Sequence, residues 1–262
     1  MSSPEKAYKN LEFLNSPEAR TVRILCEYEE PRRRFRDHNV EHTIVCFGSA
    51  RTLPTESAEA LLAEAQAGGD ASAIALAEGK VRSSRFYEDA RELSRKMTQW
   101  SVNRGGRDYL ICTGGGPGIM EAANRGAADA SGGRSVGLGI SLPFEESLNR
   151  YITPGLDFEF HYFFTRKYWF MYLAKALVVF PGGFGTFDEL MELLTLIQTG
   201  KVKKQMPIVL FGTAYWDDVL NVEKMVEWGT ISPKDLDLMY RSDSVDDAVA
   251  FLTSRLEEEE RA

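Results

Sequence analysis

Histidine and cysteine are scarce in this chain, three of each among 262 residues. Their spacing removes several kinds of chemistry. Cys26, Cys46 and Cys112 form neither a disulfide framework nor a metal-ligand set. Cys46 and Cys112 fall in apolar, strand-like runs and are expected to be small buried residues, as suits a reducing cytoplasm. His38, His42 and His161 lack metal-ligand spacing and no His-Glu-x-x-His pattern occurs, so each is read as an ordinary polar or packed histidine and no metal is expected. A basic excess is also missing. The formal net charge of −8 opposes nonspecific nucleic-acid binding, which needs a positive surface. The one basic cluster, Arg32-Arg33-Arg34-Phe35-Arg36, reads as the solvated face of a helix or as a patch for an anion or a partner. No apolar run reaches membrane-spanning length, and Met1-Ser2-Ser3-Pro4-Glu5-Lys6 has no signal-peptide pattern. The expectation is a cytoplasmic protein with neither a membrane nor a nucleic acid as partner.

Two familiar nucleotide-binding patterns are absent as well. No Gly-Lys-Ser/Thr closes a glycine loop, and after Gly116-Pro117-Gly118 the third glycine position of a dinucleotide fingerprint holds Glu121. Ser49 follows a strand-like run but lacks the setting of a nucleophile elbow.

What is present is an alternation of strands and helices. Residues 5–38 read as polar helix, with apolar points at Leu11, Leu14, Val22, Leu25 and Tyr28 leaning on a core. Strands are expected at 43–47, 109–112, 136–140, 156–160, 177–180 and 208–211, and helices at 85–102, from Ile119, and at 163–174, 186–199 and 215–228. Residues 54–80, rich in alanine and split by Gly68-Gly69, read as two weak helices or a mobile excursion that flanks or lids a pocket. The acidic run Glu257-Glu258-Glu259-Glu260 reads as a frayed helix end. Continuously apolar strands between helices indicate an α/β fold with a parallel sheet covered on both faces. Such sheets bind ligands at the carboxyl ends of their strands. Three glycine-bearing loops leave strand ends there, after Phe47, Cys112 and Phe180, and should converge on one crevice.

The third loop carries the most chemistry. Pro181-Gly182-Gly183-Phe184-Gly185-Thr186-Phe187-Asp188-Glu189 follows the apolar run Ala176–Phe180 and enters a helix. Glycines let backbone N–H groups approach a phosphate, and a helix N-terminus adds partial positive charge. A structural reading competes: Thr186 as N-cap and Glu189 three residues later make a capping box. Two further glycines exceed what a cap needs, and Arg166 and Lys167 on the preceding helix strengthen the anion-binding reading. Adjacent helical residues point about 100° apart, so only one of that pair can face the crevice squarely. The aromatic cluster from Phe158 to Tyr172 reads as core or subunit interface, with a ring or two able to stack on a base.

Taken together, Gly114-Gly115-Gly116-Pro117-Gly118-Ile119-Met120, Arg166-Lys167 and the 181–189 segment resemble the LOG family, whose signature Pro-Gly-Gly-x-Gly-Thr-x-x-Glu is matched without a gap. The resemblance covers roughly residues 43–230. It implies a single Rossmann-like, doubly wound parallel sheet with helices on both faces, and a homodimer. It implies hydrolysis of the N-glycosidic bond of a nucleoside 5′-monophosphate, AMP or a cytokinin riboside monophosphate, to free base and ribose 5-phosphate, without a cofactor. The family's catalytic Arg and Glu fall on Arg166 and Glu189. Gly182, Gly183, Gly185 and Thr186 would cradle the phosphate, with Lys167 nearby, while Ser49, Gly115, Gly116 and Met120 would line the nucleotide. The implied layout is an N-terminal helical extension (1–42), a catalytic domain (43–230) and a C-terminal helical tail (231–262).

Cleaving a C1′–N bond builds positive charge on the ribose. A carboxylate there can stabilise that charge, hold ribose hydroxyls or orient water. Arg166 can serve the departing base or the phosphate. Two other readings compete. A nucleotide- or cofactor-binding carrier or sensor needs the loops but not the carboxylate. A lysine decarboxylase needs a buried lysine for a pyridoxal Schiff base, and Lys167 and Lys175 are ordinary helix lysines in sequence.

Overall fold

Strands that are apolar at every position need cover on both faces, and the central strands of this chain obtain it. In the computed structural model, which describes residues 4–104, 109–141, 148–203 and 206–261, the N-terminal segment forms α1 (Leu11–Asn15) and α2 (Arg20–Asp37). There follow β1 (His42–Phe47), α3 (Thr55–Gly68), α4 (Ala71–Asn103), β2 (Tyr109–Thr113), α5 (Ile119–Asp129), β3 (Ser135–Ile140) and β4 (Asp157–Phe160). The second half contains α6 (Phe163–Tyr172), β5 (Ala174–Val179), α7 (Phe184–Gln198), β6 (Ile208–Phe211), α8 (Thr213–Val219), α9 (Val222–Glu227), β7 (Tyr240–Ser242) and α10 (Val245–Arg261).

The sheet is parallel throughout, in the order β4-β3-β2-β1-β5-β6-β7. The chain works outward from β1 to β4, then crosses back to lay β5 on the other side of β1. That reversal is a topological switch point, and crevices open there beyond the strand ends. One face of the sheet packs Phe35, Trp169, Phe170, Leu190, Leu193 and Trp216 from α2, α6, α7 and α8. The other packs Tyr87, Leu93, Met97, Ile119, Ala123 and Leu252 from α4, α5 and α10. The expected α/β, doubly wound architecture is therefore present. Cys46 and Cys112 are buried in the strands, as expected.

Several local expectations change. A seventh strand, β7, completes the sheet beyond residue 230, the point expected to end the catalytic unit. Of the two readings of residues 54–80 the helical one holds, and the excursion does not: α3 ends at Gly69, which adopts φ +72°, and the following residues start the 33-residue α4. The helix expected over 215–228 is two, interrupted at Leu220 and Asn221. Leu11, Val22 and Leu25 are exposed, and α2 buries Pro31 and Phe35 instead. The acidic C-terminal run is anchored: Glu257 and Glu260 pair with Arg104, Glu259 pairs with Lys175, and Glu260 accepts from the Tyr109 hydroxyl.

Candidate active site

Two loops meet at the switch point. The loop after β1 and the loop after β5 are tied by Ser49 N–H donating to Pro181 C=O at 3.0 Å, and Phe180 N–H donates to Phe47 C=O at 2.8 Å. Ser49 C=O in turn accepts from Ile119 N–H at 3.1 Å, which fixes the start of α5 against them. This contact requires Gly118. Its φ of +69° disfavours other residues, and a Cβ there would stand 2.3 Å from Ser49 O.

Above these loops opens a cavity of about 890 Å³, within the size range of small-molecule sites. It is walled by residues 47–51, by residues 182–189, by Met120 of α5, by Phe163 and Arg166 of α6, and by Tyr215 and Val219 of α8. Of the residues expected in the site, Arg166, Glu189, Gly182, Gly183, Gly185, Thr186, Met120 and Ser49 line this one cavity. Gly115, Gly116 and Lys167 do not. The carbonyls of Gly115 and Gly116 accept from the Asn149 side chain, which holds the second glycine loop against the rest of the fold. Lys167 instead lies between Asp188 and Glu192, 2.8 Å from each carboxylate, and braces α6 to α7. Arg166, its neighbour, takes the cavity-facing direction.

The segment 184–189 is helical from Phe184, with Gly183 as N-cap and no side-chain cap. Thr186 is thus the third helical residue, not the cap, and both Thr186 N–H and Phe187 N–H donate to Gly183 C=O. The capping box expected from Thr186 and Glu189 does not form. The first amides of α7 have no intrahelical acceptor and lie at the cavity wall, where the helix dipole favours an anion. Gly183 and Gly185 leave open space: a Cβ on either would meet nothing within 4 Å. Gly182 is different, because its Cβ would lie 2.1 Å from Thr186 Oγ1.

Glu189 is only 5% exposed, and its Oε2 is buried without a hydrogen-bond partner among the described residues. Burial pushes its carboxyl up to about 7, against the opposing pull of the Lys167 and Arg166 charges. The Arg166 guanidinium lies over the Phe170 ring, 5.1 Å from its centre. Gly114 makes room for it: a Cβ there would stand 3.0 Å from a guanidinium nitrogen and 2.8 Å from Met120 Sδ. A buried carboxylate, a guanidinium and a helix N-terminus therefore face one space, which suits a phosphorylated substrate whose reaction develops positive charge.

The sequence reading did not single out Arg51, Phe163, Phe184, Tyr215 or Val219 as site residues, although all line the cavity. Arg51 belonged to a loop whose position was legible. Phe184 stands 95% exposed at the rim. Tyr215, whose hydroxyl donates to Gly182 C=O, comes from a helix after β6 that carries no motif. No residue of 54–80 lines the cavity, so the expected lid is not seen.

Comparison with known proteins places these features. A family model described as "possible lysine decarboxylase" matches residues 120–252, half of the chain. The chain is similar to the pyrimidine/purine nucleotide 5′-monophosphate nucleosidase of Escherichia coli (strain K12), with 34% identity over 119 residues, 40% of this chain and 25% of that protein. It is also similar to the cytokinin riboside 5′-monophosphate phosphoribohydrolase LOG2 of Arabidopsis thaliana, with 31% identity over 156 residues, 56% of this chain and 65% of that one. The matched region thus spans about a quarter of the bacterial relative and under two thirds of the plant one. Among solved structures, the molybdenum cofactor binding protein from the phototrophic bacterium Rippkaea orientalis aligns with a TM-score of 0.46 and 17% identity, over 81% of this chain and 94% of that one.

Proposed function

Because the chain belongs to the LOG family, the family of the "possible lysine decarboxylase" model, we propose that it hydrolyses the N-glycosidic bond of a nucleoside 5′-monophosphate, releasing the base and ribose 5-phosphate. The observation that carries this reading is Glu189, a buried carboxyl with an oxygen unpartnered among the described residues, in the same cavity as Arg166 and the glycine-walled start of α7. The names of both relatives point to the same substrate class.

In this reading the 5′-phosphate sits at the N-terminus of α7, against Gly183 and Gly185, where open space and the first amides of the helix coincide. The ribose then lies beside Glu189. As the C1′–N bond breaks, its electron pair leaves with the base, and positive charge spreads over C1′ and the ring oxygen. Ionised Glu189 stabilises that charge and accepts a proton from the water that attacks C1′, a role suited to a carboxyl poised near 7. With the phosphate seated at α7, Arg166 offsets the negative charge on the departing base, which takes its proton from solvent. AMP and a cytokinin riboside monophosphate are the substrates we propose to compare.

Schiff-base chemistry of the decarboxylase kind finds no support here. Lys167 is committed to Asp188 and Glu192, Lys175 to Glu259, and no lysine lines the cavity among the described residues. We further propose that the protein works as a cytoplasmic homodimer, with a catalytic unit that extends past residue 230 to include β7 and α10. The dimer is supported by Phe164, Tyr168 and Tyr172, which leave an exposed aromatic stripe along α6.

The test is incubation of purified protein with AMP and, separately, isopentenyladenosine monophosphate, following free base by chromatography, with Glu189→Gln in parallel. Base release by the wild type, reduced by about 100-fold or more in the variant, is the expected result. Nucleotide binding without base release by either protein would leave a carrier or sensor.

A further inference from the structure

Helix α6, which carries Arg166, begins without a cap of its own. Its N-cap residue Tyr162 makes no side-chain capping bond, and its first turn holds no acidic residue. An uncapped start leaves amide donors unpaired and the helix free to fray. What holds the entry to the helix comes from 135 positions away in the chain. The carboxylate of Glu27, on α2, accepts from His161 N–H at 2.8 Å and from Tyr162 N–H at 3.3 Å. The Thr165 hydroxyl lies 2.5 Å from the same carboxylate and 2.7 Å from Tyr162 C=O. Glu27 also works through its backbone, since its carbonyl accepts from the Trp169 indole N–H at 2.9 Å, one turn further along α6. The next residue, Tyr28, sets its ring edge-to-face with Tyr168 at 5.1 Å.

We infer that Glu27 is a positioning residue: from the N-terminal helix it pins the first turn of α6 and the two residues that lead into it, and so fixes where Arg166 stands opposite Glu189. The link to Arg166 is short. Arg166 N–H donates to the carbonyl of Tyr162, the residue whose amide Glu27 holds. A carboxylate at a helix N-terminus also meets the positive end of the helix dipole, so the contact is charge-assisted as well as geometric. Lys167 braces the other side of the same helix to α7. Between the two braces α6 cannot slide or rotate without breaking a charged contact, and the guanidinium of Arg166 inherits that precision. The family model begins at residue 120, so the N-terminal helix lies outside the matched segment. Glu27 gives that helix a part in the chemistry rather than in folding alone.

The effect on rate rests on the hydrolase reading above; the effect on α6 does not. The test uses the full chain as wild type, Glu27→Ala and Glu27→Gln, with two readouts: base release from AMP, separated into kcat and KM, and backbone amide hydrogen exchange. In Glu27→Ala, kcat is expected to fall about 10- to 100-fold, the cost of a misplaced catalytic group, with KM for AMP changed by no more than about twofold. Exchange at residues 161–166 should accelerate while that of the β5 amides stays at the wild-type rate. Glu27→Gln, which keeps shape and an acceptor oxygen, should recover part of both. Wild-type kcat and wild-type exchange in Glu27→Ala would overturn the inference. So would a fall in kcat without faster exchange in α6, or an equal acceleration across the sheet, which would make Glu27 a general stability contact. If the wild type releases no base, the hydrolase reading falls by itself, and exchange at residues 161–166 still decides whether Glu27 holds α6.

Discussion

At Glu189 folding works against ionisation. Burial raises its carboxyl from an ordinary value of 4.5 to about 7, so the folded chain binds a proton more tightly there than the unfolded chain does. The stability this gives is complete below pH 4.5 and is lost as pH rises through about 7. Above that point the ionised carboxylate costs about 3 kcal/mol relative to a group with no shift. Glu189→Gln removes that cost. Its melting temperature should exceed the wild type's at pH 8 and match it at pH 5, and thermal melts at the two values decide the matter. Base release should show the same group from the other side, with kcat/KM rising about tenfold per pH unit below 7 and levelling above it. Lys167→Met, which removes a charge favouring the carboxylate, should move that limb to higher pH. That Glu189 and one of Arg166 and Lys167 face a common cavity was legible in sequence, because a carboxylate after a glycine loop follows a basic pair on the preceding helix; the choice of Arg166 came from the resemblance, and Lys167 is taken up by Asp188 and Glu192. Tyr215 was not, since a tyrosine two residues into a helix after a plain strand looks like any core aromatic.

Among the elements, α7 shows what a local rule can miss. The pattern Thr186-Phe187-Asp188-Glu189 satisfies a capping box, yet the helix starts at Phe184 and uses Gly183 as its cap. Glycines at 183 and 185 hid the true start, because residues of low helix propensity read as loop. Strand β7 was hidden for a different reason. Tyr240-Arg241-Ser242 is short and polar because it lies at the sheet edge, where nothing demands an apolar run. The buried strands could be read for the opposite reason. Two glycines of the site now make contrasting predictions. Gly118→Ala forces a methyl against Ser49 O in a positive-φ position and should destabilise the fold by about 2–4 kcal/mol, measured by denaturant titration. Gly183→Ala has open space and an ordinary φ of −93°, so its stability cost should stay near 1 kcal/mol, the usual penalty for alanine at an N-cap. Its methyl occupies the proposed phosphate seat, so KM for AMP should rise several-fold. An unchanged KM would move the phosphate elsewhere in the cavity.

For the whole molecule, the strand order explains why the loops after β1 and β5 could be brought to one crevice from the sequence pattern. A parallel sheet that reverses direction at β1 and β5 must bring the loops after those strands together, and both loops carry glycines. The second glycine loop follows β2, one strand away from the switch point, and contributes Gly114 as room for Arg166 rather than a wall of its own. The outer surface is less legible, because apolar spacing on a helix does not say which stripe meets the core. Val22 and Leu25 were expected inside, yet both are exposed on α2, the helix that packs across α6. Phe164, Tyr168 and Tyr172 fall four residues apart on α6, so they share one helix face, and all three are exposed. Large aromatics on one face, beside further apolar residues, have the composition of the buried centre of an interface. A symmetric pairing of two chains through α6 would cover this surface with itself. Light scattering at micromolar concentration should give the mass of two chains for the wild type and of one chain for Phe164→Glu/Tyr168→Glu, because a symmetric contact meets each introduced charge twice. A wild-type monomer would remove the dimer, while a variant that stays dimeric would place the interface on another face.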